Sequence, residues 1–152
     1  MKEIRNFTRS KGYKNYGPFK TGDAVELSNL EKKLGKTNQI PDGLVEFLKK
    51  YNGGSFEECV FFDSPKGPVV AASFLPVSPD ENTAITKIFD FFVQELKSNF
   101  IPFASDPGGN YFLLGVENED RNRVYFWDHE SHEFYEIAAS FEYFLNALQV
   151  DS

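Results

Sequence analysis

The chain has 152 residues, 41% hydrophobic and 16% aromatic, with a formal net charge of -7. That suffices for one domain with a sizeable core, and no apolar run approaches the ~20 residues of a membrane span. Residues 1–50 carry 11 basic and 6 acidic side chains, residues 51–103 carry 3 and 7, and residues 104–152 carry 2 and 10. An acidic C-terminal third repels phosphates, which disfavours nucleic acid there. It suits either a basic protein partner or a solvated face with no partner.

The first twenty residues interleave Lys2, Arg5, Arg9, Lys11, Lys14 and Lys20 with Phe7, Tyr13, Tyr16 and Phe19. Such a mixture suits base stacking. The aromatics keep no strand or helix period, and the favoured expectation is an arm, residues 1–22, that lays them on the domain. The N-terminus is too polar for a secretory h-region. Asp23 opens a helix with Glu26 three residues on, a capping-box-like pair. Leu27, Leu30 and Leu34 line one face, and Gly35 supplies the stop. Pro41 suits a first helical position, and Leu44, Phe47, Leu48 and Tyr51 follow at helical spacing until Asn52-Gly53-Gly54.

From Phe56 the period changes. Glu58–Phe62 and Pro68–Phe74 are expected strands around the turn Asp63-Ser64-Pro65-Lys66-Gly67. Cys59, the only cysteine, excludes an internal disulfide and is expected to be a buried free thiol in a reducing cytosol. Ser78–Asn82 places acid at the start of a helix whose stripe is Ile85, Ile88, Phe89, Phe92, Val93 and Leu96. Ile101-Pro102-Phe103-Ala104 then enters the tight turn Ser105–Asn110, where Gly108 or Gly109 is expected at positive φ. Tyr111–Val116 and Val124–Trp127 are expected strands around the polar tip Glu117–Asn122. Asp128–Glu133 is a turn, Phe134–Ile137 a short edge strand, and Ser140 the N-cap of a last helix carrying Phe141, Phe144, Leu145 and Leu148. The fold class is α+β: one mainly antiparallel sheet with helices packed on it.

Catalytic and cofactor patterns are missing. The central turn has adjacent glycines, no following lysine and a strand after it, so it matches neither a Walker loop nor a dinucleotide fingerprint. His129 and His132 are one residue short of the zincin spacing, and neither a further histidine nor a second cysteine exists to complete a metal site. No nucleophile elbow is present, and no pair of carboxylates is singled out as a glycosidase pair. The expectation is no enzyme, no cofactor and no metal.

Leu30–Gly35, followed by Ile40-Pro41 to Tyr51-Asn52-Gly53-Gly54, resembles the N-terminal signature of the SUKH superfamily. Ile101–Ala104 with Gly108-Gly109-Asn110, then Val124-Tyr125-Phe126, then Ile137–Phe141 to Phe144-Leu145, looks like the rest of that pattern. The resemblance spans roughly residues 25 to 148. It implies a single non-catalytic α+β domain, here residues 1–152 with the family core at 23–149. Small bacterial members are similar in role to immunity proteins, which neutralise a toxin, often a nuclease domain, inside the producing cell. Larger fungal relatives are regulators linked to cell-wall synthesis.

The expectation is therefore a cytoplasmic antitoxin that binds a basic toxin by occlusion. The alternatives are a regulatory protein-binding scaffold and, less favoured, a hydrolase. No nucleic acid or membrane partner is expected. The candidate binding residues are the loop groups Asp106, Asn110, Glu119, Asp120, Asp128 and Glu130, with Trp127 as an aromatic anchor.

Overall fold

Amphipathic helices need a sheet to cover, and the alternating strands of the C-terminal half supply it. The computed structural model describes residues 13–15, 19–34, 39–78, 83–96 and 100–151. Its elements run β1 (Tyr13–Asn15), α1 (Thr21–Leu34), α2 (Asp42–Lys50), β2 (Gly54–Phe56), β3 (Val60–Ser64), β4 (Gly67–Val70), β5 (Ser73–Phe74), α3 (Ile85–Leu96), β6 (Phe100–Ser105), β7 (Tyr111–Gly115), a 3-10 turn (Asn118–Asp120), β8 (Val124–Trp127), β9 (Phe134–Ala138), α4 (Phe141–Asn146) and β10 (Gln149–Val150). This is the α+β architecture expected.

Seven strands form one antiparallel sheet in the order β1-β2-β5-β6-β7-β8-β9. A second, three-stranded sheet runs β10-β3-β4. The expected strand Pro68–Phe74 is in fact shared between the two. Its first half pairs with β3. At Ala71 and Ala72 it changes sheet: Ala71 N–H donates to Val60 O at 2.8 Å, and Ala72 N–H to Ser105 O at 2.9 Å.

Alternation along β7 sends Phe112 and Leu114 to one face and Leu113 to the other. On the first face Phe103 meets Phe141 and Phe144 of α4 edge-on, at 5.1 and 5.6 Å between ring centroids. Phe47 of α2 closes on Phe74 at 5.0 Å and on Phe141 at 5.6 Å. On the second face Phe92 of α3 packs among Phe100, Leu113, Tyr125 and Trp127. Each fully buried phenylalanine is worth about 1.5–3 kcal/mol of hydrophobic stabilisation.

Several local expectations need correction. Asp23 is not the N-cap of α1. Lys20 O accepts from Asp23 N–H and Ala24 N–H, and Asp23 reaches back from the third helical position to Lys20 N–H at 2.8 Å. Glu26 instead accepts from Thr86 of α3 at 2.9 Å. Pro41 caps α2 from outside the helix. Residues 79–82, where acid is expected ahead of α3, lie outside the described residues, and the described helix starts at Ile85. Cys59 is exposed, because it lies in the irregular link before β3. Gly35 and most of the N-terminal arm lie outside the described residues; within it, Tyr13–Asn15 adds strand β1 and Phe19 packs against the core. The Ser140 cap is as expected, accepting from Tyr143 N–H at 3.0 Å.

Candidate functional site

Strands β7 and β8 pair from Tyr111↔Trp127 to Leu114↔Val124. The central turn and the Asp128–Glu133 turn therefore share one end of the sheet, and the Glu117–Asn122 tip occupies the other. The candidate residues divide accordingly, with the whole β7–β8 pairing between the two groups.

At the first end the central turn is built around Asp106. Its Oδ1 accepts from Gly108 N–H at 2.9 Å and Asn110 N–H at 2.7 Å, and its Oδ2 from the Asn110 side-chain amide at 2.8 Å. Gly109 sits at φ +91°, so the positive-φ expectation falls on the second glycine. Asn110 then bridges to the next loop. Its Oδ1 accepts from His129 N–H at 2.9 Å and lies 2.7 Å from His129 Nδ1. Asp128 Oδ1 caps that loop, accepting from Glu130 N–H at 2.9 Å and Ser131 N–H at 3.2 Å. These two backbone bonds, Ser131 first, hold the Asp128 carboxyl below its usual range. Glu130 is exposed on the same loop.

The β3–β4 hairpin and this end of the sheet together line a cleft of about 340 Å³. Its lining includes Asp106, Asn110 and Asp128 of the two loops, Lys66 and Val69 of the hairpin, and Phe126 and Tyr135 of the sheet. Of the seven expected residues the structure gathers Asp106, Asn110 and Asp128 in this cleft, and it adds Lys66 and Tyr135, which were not among them. The Asp63–Gly67 turn was recognisable, but no local pattern tells where a hairpin will fold.

At the opposite end, Glu119 is exposed, while Asp120 is engaged internally. Asp120 Oδ1 accepts from the Tyr125 hydroxyl at 2.5 Å. Burial first, then this bond, pushes the Tyr125 phenol well above its usual range. The tip is also less acidic than its sequence suggests. Arg123 donates to Glu119 O at 2.7 Å and pairs with Glu136 at 3.1 Å, and Arg121 holds Gln39 O at 2.8 Å and Val116 O at 3.0 Å.

Trp127 is only 5% exposed, so its ring is part of the core and not a surface anchor. It meets Phe92 at 5.0 Å and His132 at 6.0 Å. His129 and His132 face different partners, Asn110 and Glu95. Among the described residues no group of three or more His, Cys, Asp or Glu side chains is placed to hold a metal, and no helix is long and apolar enough to cross a membrane.

Residues 22–147 match the family model of the SMI1 / KNR4 family (SUKH-1). The chain is also 30% identical over 168 residues to the SPbeta prophage-derived uncharacterized protein YokK of Bacillus subtilis strain 168, an alignment covering 96% of this chain and 82% of that relative.

Proposed function

Since this chain belongs to the SMI1 / KNR4 family (SUKH-1), we propose that it is a non-enzymatic immunity protein. It binds a cognate toxin in the cytoplasm of the producing cell and neutralises it by occlusion. The observation that carries this reading is the acidic end of the sheet, where Asp106, Asn110 and Asp128 share one cleft and Glu130 is exposed on the same loop as Asp128. These acids are fixed by their own loops, so presenting them costs little further ordering on binding.

A nuclease domain is the target that suits this surface best. Such an enzyme holds a polyanion in a basic cleft, and an acidic protein seated there excludes substrate by charge and bulk alone. Steering of this kind raises the association rate more than the affinity. The charge balance of residues 104–152, with 2 basic and 10 acidic side chains, supports it.

The experiment is expression of the toxin domain with and without this chain. The expected result is growth restored by the chain, with the purified toxin inhibited one to one. Inhibition that persists at substoichiometric amounts would instead require turnover, and would overturn the non-enzymatic reading.

A further inference from the structure

The cleft between the β3–β4 hairpin and the two loops already holds a cation, and it is the chain's own. Lys66 places its Nζ 4.5 Å from the centroid of the Tyr135 ring and on the Glu133 carboxylate. The hydrogen bond to Glu133 is the main cause that raises the Lys66 pKa. Both partners are about half exposed, at 54% and 50%. Exposed ion pairs contribute little, so this one is easily exchanged. Asp106 and Asp128 stand in the same cleft, and neither is paired with a lysine or arginine among the described residues.

The neighbouring strand edge narrows what kind of contact is available. β4 is an edge strand. The Ala71-to-Val60 hydrogen bond and the register Phe62↔Val69 fix the alternation, so Pro68 turns its backbone to the free edge. Proline has no N–H to offer there, which blunts pairing with a strand of a partner. Side-chain insertion remains, into a cleft with Val69, Val70, Pro107 and Phe126 for walls.

We propose that this cleft receives an arginine side chain from a basic protein partner, which displaces the Lys66 ammonium from Tyr135 and is held by Asp106 and Asp128. The partner's identity as a toxin rests on the reading above; the chemistry of the cleft does not. Arginine fits better than lysine because its planar guanidinium stacks on an aromatic face and meets carboxylates with two parallel donors. Lys66 is thus a place-holder that offsets part of the cleft's negative charge until a partner arrives.

The test uses the full chain and a hexapeptide of alternating arginine and glycine, followed by amide chemical shifts at 0.15 M salt. The expected shifts centre on Asn110, His129 and Tyr135. Lys66→Gln removes the competitor and should tighten binding by about threefold or more. Asp128→Asn keeps an oxygen for the Glu130 and Ser131 amides but loses the charge, and should weaken binding by about threefold or more. Tyr135→Leu should weaken it too, and the matching lysine–glycine peptide should bind less tightly. Shifts centred on residues 117–123, or weaker binding by Lys66→Gln, would overturn the proposal. Because the probe is not the toxin, a cleft that binds the peptide while toxin inhibition fails leaves this assignment standing and removes only the immunity reading.

Discussion

Asn52 and Asp23 lie 29 residues apart in the chain and form a buried polar pair, with Asn52 Nδ2 donating to Asp23 Oδ2 at 3.0 Å. Asp23 is 5% exposed and Asn52 6%. The same asparagine accepts from Val77 N–H at 2.8 Å. One side chain at the end of α2 thereby ties the start of α1 to the segment that leads into α3. Removing it leaves a buried carboxylate and a buried amide with fewer partners. Asn52→Ala should lower stability by about 2–4 kcal/mol. A double-mutant cycle with Asp23→Ala, read by urea denaturation, should show coupling of about 1 kcal/mol or more. Additive losses would mean that the pair does not act as a unit.

Glycine is required at two points of the β6–β8 region for different reasons. At Gly115 a Cβ would stand 2.0 Å from Asp120 O, a backbone atom that cannot swing aside. Gly115→Ala should cost about 2–3 kcal/mol through overpacking. At Gly109 the nearest neighbour is the His129 ring at 3.6 Å, and the cost comes from φ +91° alone. Gly109→Val should cost about 1–3 kcal/mol, and Gly108→Ala close to nothing. Denaturation midpoints of the three variants check the order.

Tyr125 makes stability depend on alkaline pH. Its folded-state pKa is raised, by burial and then by the bond to Asp120. The unfolded phenol ionises near pH 10, so above that point the unfolded state holds fewer protons than the native state. The contribution is complete below about pH 10 and is lost as pH rises toward the folded value, at no more than about 1.4 kcal/mol per pH unit. Tyr111 is raised by burial as well and adds in the same direction. Tyr125→Phe should flatten, without abolishing, the fall in melting temperature between pH 9.5 and 11. An unchanged slope would remove Tyr125 as a cause.

How far the sequence led depends on whether the determining contact was local. Ser140 and the Phe141, Phe144, Leu145 stripe signal the last helix within a few residues, and the structure agrees. The strand Val124–Trp127 was legible for the same reason. The division of Pro68–Phe74 between two sheets was not, because Val70 and Phe74 are equally apolar and the change at Ala71–Ala72 depends on Val60 and Ser105. Asp106, Asn110 and Asp128 were legible as loop residues. That Lys66 would join them, and that Glu119 and Asp120 would lie at the other end of the strands, follows only from strand register.

The two ends of the sheet should affect toxin binding differently. Glu119 is exposed and far from the cleft, so Glu119→Lys should reduce the association rate mildly and leave dissociation unchanged. Asp128→Asn should chiefly speed dissociation. Surface-based kinetics at several salt concentrations separates the two. Equal effects on both rates from both variants would mean that the acidic cleft has no special place in the interface.

The proposed role of this chain is to silence a basic toxin by sitting on it. The decisive experiment is capture of the partner from the producing cell on this chain, followed by assay of the purified partner's own activity at graded amounts of the chain. Inhibition should be complete at one equivalent, with an association rate that falls steeply as salt screens charges over about 10 Å at 0.1 M ionic strength. A captured partner whose activity is untouched by an excess of the chain would contradict it.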